Sequence, residues 1–171
     1  SNLSSTRALR DVTQQFGGEY FAAAVGEVNV VEKMKEVNAV IGGEGNGGVI
    51  YPELHYGRDA LVGVGLFLTY LCESQCSCSE LKSKFPLYYM SKNKIQLDAS
   101  TNVDMILEKI ADKFKNEKVT TIDGVKIDFE EGWVHLRKSN TEPIIRVYSE
   151  GKTEAEAERL AQIMLDEAKN F

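Results

Sequence analysis

The sequence predicts an α/β protein in two parts. The first, residues 1–92, is a truncated three-layer, parallel-type α/β domain, and the second, residues 93–171, is a small α+β domain with a four-stranded antiparallel sheet and two helices. Three observations carry this. Helical and strand-like runs alternate through the first half, the pattern of βαβ units around a parallel sheet. Between residues 85 and 98, "FPLYYMSKNKIQLD", that periodicity fades. Beyond it the order becomes helix, four strands, helix, which an antiparallel sheet covered on one face by two helices satisfies.

In "STRALRDVTQQFGG", Leu9, Val12 and Phe16 share a helical face, and Gly17-Gly18 stops the helix. "EYFAAAV" (19–25) reads as a short buried strand, and "GEVNVVEKMKEV" (26–37) as a turn entering a helix. A second buried strand, "NAVIGG" (38–43), ends in glycines, and a strand-like "VIYPEL" follows. A long apolar helix then starts near Asp59, an N-cap residue type. Because this layer opens on its helix, at least one further strand is expected upstream. In the second half, Val103, Ile106, Leu107, Ile110 and Phe114 recur at helical spacing after Thr101, the expected N-cap. "VTTIDGVKIDF" is a hairpin turning at Asp123-Gly124. "GWVHLRK" and "PIIRVYSE" form a second strand pair, and Thr153 with Glu156 makes a capping box before a helix that packs Leu160, Ile163 and Met164.

The formal net charge of −6 disfavours a nucleic-acid interface, which relies on a basic stripe. The longest apolar run, residues 61–72, falls far short of the roughly 20 residues a membrane span needs. No basic-then-apolar segment opens the chain. Cys72, Cys76 and Cys78 are odd in number and clustered, and neither His55 nor His135 completes a zinc-like spacing. They read as the reduced, partly buried thiols of a cytoplasmic protein.

Three segments could hold a ligand. In "VHLRKSNTEPIIRVYSEG" (134–151), alternation sends Val134, Leu136, Ile145 and Val147 to the core. Arg137 and Arg146 are left on the opposite face, beside a loop offering Ser139, Asn140 and Thr141. Arginines, hydroxyls and turn amides together suit a small anion such as phosphate. A polar hairpin turn with two solvated arginines is the alternative. In "GGEGNGG" (42–48) the Gly43-x-Gly45-x-x-Gly48 spacing mimics a dinucleotide fingerprint, but no helix follows it. What remains is a glycine loop carrying Glu44 and Asn46, a carboxylate and an amide that suit vicinal hydroxyls, or else a tight turn. Gly26, Glu27 and Asn29 stand at another strand end, as ligand selectors or as an ordinary helix cap. No catalytic constellation is visible, and the chain looks equipped to bind rather than to react.

Taken in order, these segments resemble the α-D-phosphohexomutases, the family of phosphoglucomutase, phosphomannomutase and phosphoglucosamine mutase. "GEGNGG" is similar to the sugar-binding loop of the family's third domain, and "VGEVNVVEKMKE" to its specificity segment. "RKSNTEPIIRVYSEG" is similar to the phosphate loop of its fourth domain. The resemblance implies most of the third domain, without its first strand, followed by the fourth. It implies that Arg137, Ser139, Asn140, Thr141 and Arg146 bind phosphate. Glu44 and Asn46 then bind sugar hydroxyls, with Gly26, Glu27 and Asn29 near the sugar. Asn46 stands where serine is frequent, and Gly48 where some members have histidine. The family's phosphoserine loop and magnesium loop belong to its first two domains and have no counterpart here. The implied whole is therefore an enzyme whose Mg2+ lies outside this chain, with no cofactor, metal ligand or catalytic residue within it. The expected partners are a hexose phosphate and the rest of the parent polypeptide, and the 171-residue chain alone is expected to be inactive. Glucose, mannose and glucosamine phosphates all stay open as substrates. A non-catalytic module sensing a phosphorylated metabolite is the rival reading, and a pure interaction domain a third.

Overall fold

The computed structural model describes residues 1–97, 102–139 and 142–169, which gather into two compact units, Ser1–Leu87 and Tyr88–Phe171.

The first unit is mixed α/β. Asn2 bridges Ala23 in parallel. Leu3 N–H donates to the Ala23 carbonyl and Ala23 N–H to that of Ser1, both at 2.9 Å. Helix α1 (Arg7–Gln15) starts at Thr6, whose hydroxyl accepts from Ala8 N–H. After Ala23 come α2 (Glu27–Glu36) and a hairpin of β1 (Gly42–Gly43) with β2 (Val49–Ile50). Asp59 caps α3 (Ala60–Ser74) as expected, accepting from Leu61 and Val62 N–H at 2.8 and 3.0 Å. The Val62 bond is the main reason its carboxyl is held below the usual carboxylate range. A short α4 (Cys78–Ser83) opens on a capping box between Ser77 and Glu80.

Two expected strands contract here. Residues 19–25 contribute only the bridge at Ala23, and of residues 38–43 only Gly42–Gly43 is paired. An apolar run records a preference for burial, whereas a ladder needs a neighbouring backbone along its whole length. The buried cluster is correspondingly small: Ala23, Val30, Met34 and Ile50. Helix α3 is apolar nearly all round yet has no buried residue, and Leu61 is 83% exposed. Of the residues expected on the core face of α1, Val12 is half-buried, while Leu9 and, at the C-cap, Phe16 are exposed, Phe16 at 75%.

The second unit is a sheet with two helices. Its elements are β3 (Tyr89–Gln96), α5 (Val103–Lys113), β4 (Lys118–Thr120), β5 (Val125–Asp128), β6 (Gly132–Lys138), β7 (Ile144–Gly151) and α6 (Glu154–Lys169). All strand pairs are antiparallel, in the order β3-β7-β6-β5-β4. The sheet thus has five strands rather than the expected four. The addition, "YMSKNKIQ", lies where the periodicity fades. As an edge strand it alternates only between half-buried and exposed positions, and lysines stand at two of the exposed ones. A polar edge strand leaves no apolar period to read.

Helices α5 and α6 cover one face. Ile106, Ile110, Leu160 and Met164 pack with Ile127, Val134, Leu136, Ile145 and Val147, all nearly or fully buried. Each such side chain contributes roughly 1.5–3 kcal/mol over an exposed one. The α5 cap is Asn102, accepting from Met105 N–H at 3.2 Å; Thr101, the expected cap, lies outside the described residues. The Thr153–Glu156 capping box forms in both directions, at 3.1 and 3.2 Å.

Candidate functional site

The sheet face away from α5 and α6 carries Arg137, Arg146 and Lys94. Register sets Arg137 directly opposite Arg146, and Arg146 directly opposite Lys94. Three cations therefore stand in one row across β6, β7 and β3. The neighbouring row is Lys126, His135, Tyr148 and Lys92. Like charges placed opposite each other destabilise a sheet, by something on the order of a few tenths to 1 kcal/mol a pair. Among the described residues the carboxylate neighbours of Arg137 and Arg146 stand at the limit of ion pairing. Asp123 Oδ2 lies 3.7 Å from Arg137 Nη1 and Glu142 Oε2 lies 4.0 Å from Arg146 Nη2, both too long for hydrogen bonds. Arg146 Nε is buried with no hydrogen-bond partner among the described residues, and leaving such a donor unpaired costs roughly 1–3 kcal/mol.

Behind this row the face is packed. Trp133 is 1% exposed and donates from Nε1 to Glu150 Oε1 at 2.8 Å. Lys126 Nζ lies 4.5 Å from the centre of the same indole ring. His135 is 2% exposed, and its Nε2–H donates to the Asp123 carbonyl at 2.6 Å. That bond holds the turn carrying Asp123 against β6, beside Arg137. Burial pushes the His135 imidazole below its ordinary pKa of 6.5, so it stays neutral in the fold. The unfolded chain then binds the proton first as pH falls, so the stability linked to His135 is complete above about pH 6.5 and drains away below it. Urea unfolding of the wild type is expected to weaken between pH 7.5 and 5.5, at up to about 1.4 kcal/mol per pH unit for this one proton. His135→Gln should flatten that slope; an equally steep slope in the variant removes His135 as its source.

The joining loop is only partly described. Ser139 is buried at 8% exposure and its N–H donates to the Ile144 carbonyl at 3.0 Å, so that amide closes the hairpin and is not open to a ligand. Asn140 and Thr141 lie outside the described residues.

In the first unit the glycine loop leaves β1 and returns on β2. Glu44 is its fixed point: Oε1 accepts from Asn2 Nδ2 at 2.7 Å and from Gly26 N–H at 2.9 Å. Gly26 has φ 123°, a conformation that favours glycine. Asn46 Oδ1 accepts from Gly48 N–H at 3.1 Å, and Asn46 Nδ2 is 3.4 Å from Glu44 Oε2. Glu44, Asn46 and Gly26 are therefore brought together, with Glu44 Oε2 on the loop side. Glu27 instead pairs with Arg58, at 2.7 Å from Nε, and accepts from Arg58 N–H at 3.3 Å. Asn29 donates to the Val25 carbonyl at 3.0 Å, a bond at the entry to α2.

Arg58 and Lys94 were not singled out by the sequence. A β carbon added at Gly48 would sit 2.6 Å from Arg58 Cδ, so Gly48 makes room for that side chain at the loop. Arg58 is brought to the loop by its pairing with Glu27, thirty-one residues earlier, and Lys94 by the register of β3 on β7.

Residues 1–88 match the family profile described as phosphoglucomutase/phosphomannomutase, alpha/beta/alpha domain III, and residues 94–167 match that of the phosphoglucomutase/phosphomannomutase C-terminal domain. The chain belongs to the phosphoglucomutase/phosphomannomutase family. A phosphoglucomutase/phosphomannomutase of Thermococcus kodakarensis is 35% identical over 98% of the chain, which spans 38% of that relative. A phosphoglucosamine/phosphogalactosamine mutase of Sulfurisphaera tokodaii is 36% identical over 92% of the chain, which spans 35% of it. The crystal structure of a family protein from Burkholderia thailandensis superposes with a TM-score of 0.75 at 27% identity, covering 96% of this chain and 36% of that one. The chain thus spans little more than a third of these family members. Among its described residues, no helix is long and apolar enough to cross a membrane.

Proposed function

We propose that this chain is the substrate-holding C-terminal portion of a phosphohexomutase that interconverts hexose 1-phosphate and hexose 6-phosphate. Arg137, Arg146 and the Ser139–Thr141 loop grip the phosphate that is not reacting, while Glu44 and Asn46 accept and donate to sugar hydroxyls, with Gly26, Glu27 and Asn29 alongside. The single observation that carries this reading is the placement of Arg137 opposite Arg146, on a chain matching the family's third and fourth domains in order. Two facing guanidinium groups with only loose carboxylate contacts are a poor structural device and a good anion clamp. A phosphomonoester brings about −1.5 to −2 charges, and each charge-assisted bond contributes roughly 1.5–3 kcal/mol.

In this reading the chemistry happens elsewhere in the parent protein. A serine phosphate gives its phosphoryl group to the free sugar hydroxyl, the bisphosphate turns round, and the other phosphate returns to the serine oxygen. The ligand must be held either way round, which a phosphate clamp and a hydroxyl-reading loop accomplish without touching the reacting bond. Magnesium, in this reading, belongs to another domain. The exposed apolar surface of α3 fits a chain that packs against further polypeptide.

The test is a titration of the 171-residue chain with glucose 1-phosphate and with inorganic phosphate, followed by amide NMR shifts. Shifts concentrated at residues 137–146 are expected from both ligands, with further shifts at residues 43–48 from the sugar phosphate, and no mutase turnover. No response at millimolar ligand removes the binding reading, and measurable turnover removes the claim that the chain only holds substrate.

A further inference from the structure

We propose that Lys94 is a ligand-binding residue: the phosphate site extends from Arg137 and Arg146 onto the edge strand, where Lys94 supplies a third cation to the same phosphomonoester. The inference rests on the phosphate reading above and deepens it.

Register is the first support. Lys94, Arg146 and Arg137 occupy matched positions on three adjacent strands and point to one face, so neighbours stand about 4.8 Å apart across the sheet. The second is a cleft of about 330 Å³ at this edge, lined by Lys92, Lys94, Glu142, Arg146 and Tyr148 among others. Arg146 and Lys94 share its walls, and Arg146 carries the buried Nε that has no partner among the described residues. The third is the state of the lysine itself. Lys92 lies 5.5 Å from the Tyr148 ring centre, an interaction that explains its place. Lys94 is exposed and makes no ion pair among the described residues, although it faces a guanidinium. Among the described residues Glu142 is the one carboxylate lining the cleft; it is half-exposed and 4.0 Å from Arg146, a loose contact that an entering phosphate can replace.

The chemistry is complementary. Guanidinium groups approach phosphate oxygens in a fixed planar fork, whereas a lysine ammonium is a compact charge with three donors on a flexible stem. Arg137 and Arg146 can share two of the three terminal oxygens, and Lys94 reaches the third from the edge. Lysine on an edge strand also guards against strand-to-strand association, and that role predicts different behaviour.

The experiment titrates inorganic phosphate and glucose 1-phosphate into the wild-type chain and into Lys94→Met and Lys94→Arg. Arg137→Ala reports on the site as a whole, and Lys115→Ala, at an exposed position outside the row, controls for net charge. Lys94→Met is expected to weaken both ligands about tenfold, equivalent to about 1.4 kcal/mol. Lys94→Arg should stay within threefold of wild type, and Lys115→Ala should be unchanged. If Arg137→Ala abolishes binding while Lys94→Met stays within twofold, the proposal is overturned and the phosphate reading survives. Lys94 is then an edge guard, and its loss shows as concentration-dependent association. If the wild type binds neither ligand, or binds with Arg137→Ala and Lys94→Met both unaffected, the phosphate reading falls and this proposal with it. Lys94→Gln repeats the charge removal if the methionine variant aggregates.

Discussion

Arg137→Ala is expected to lower the affinity of the chain for glucose 1-phosphate and for inorganic phosphate by a hundredfold or more. A bidentate guanidinium makes two charge-assisted bonds, each contributing roughly 1.5–3 kcal/mol, and tenfold in affinity is about 1.4 kcal/mol. The same substitution should cost almost no stability. Arg137 stands opposite Arg146 and has its carboxylate neighbour, Asp123, at 3.7 Å, so truncation removes a repulsion along with a loose, partly exposed ion pair. An unfolding free energy from urea titration within about 1 kcal/mol of wild type is therefore expected beside the lost affinity. That combination marks a residue kept for a ligand rather than for the fold. Affinity within threefold of wild type would remove Arg137 from the site, and a large fall in stability would make it a structural residue instead.

Gly124→Ala is expected to do the reverse, unfolding the second unit more easily by about 2–4 kcal/mol and loosening the site as a consequence. Gly124 has φ 66°, the left-handed region that costs an ordinary residue about 1–2 kcal/mol. Space is the larger obstacle. A β carbon there would stand 2.1 Å from the Leu136 carbonyl oxygen and 2.8 Å from Arg137 Cα. The turn must then lift off β6, taking with it Asp123, whose carbonyl accepts from His135 and whose carboxylate faces Arg137. Chemical denaturation measures the first effect and phosphate titration the second. Stability within 0.5 kcal/mol of wild type, the range of an ordinary surface change, would show that the turn has room to relax.

The second unit was largely legible in sequence, for identifiable reasons. Strands β6 and β7 alternate cleanly because one face meets the two helices, so Val134, Leu136, Ile145 and Val147 could be assigned inward and Arg137 and Arg146 outward. The Asp123-Gly124 turn and the Thr153–Glu156 box are local devices, each specified by a few neighbouring residues. What escaped was non-local. Strand β3 has no apolar period, since it is an edge whose pairing is decided by β7, some fifty residues further along the chain. In the first unit, runs that read as buried strands make only one or two backbone pairs, because hydrophobicity reports a preference for burial and cannot supply a neighbour. Alternation puts Trp133 and His135 on the same face as Arg137, away from the helices, yet both are almost wholly buried, each satisfied by a hydrogen bond that alternation does not foresee.

The candidate site divides along the same line. Sequence by itself determined which residue types could meet an anion and a sugar, because arginines, hydroxyls and glycine turns have chemistry that does not depend on their neighbours. It also determined that Arg137 and Arg146 share a face, since strand geometry has a period of two. Only the tertiary structure decided that these two stand directly opposite, that Lys94 joins their row, that Glu44 is fixed by Asn2 and Gly26, and that Arg58 fills the space beside Gly48. Each of these is a contact between segments far apart in the chain. Its existence depends on strand register and packing, which the whole fold selects and no local run of residues encodes.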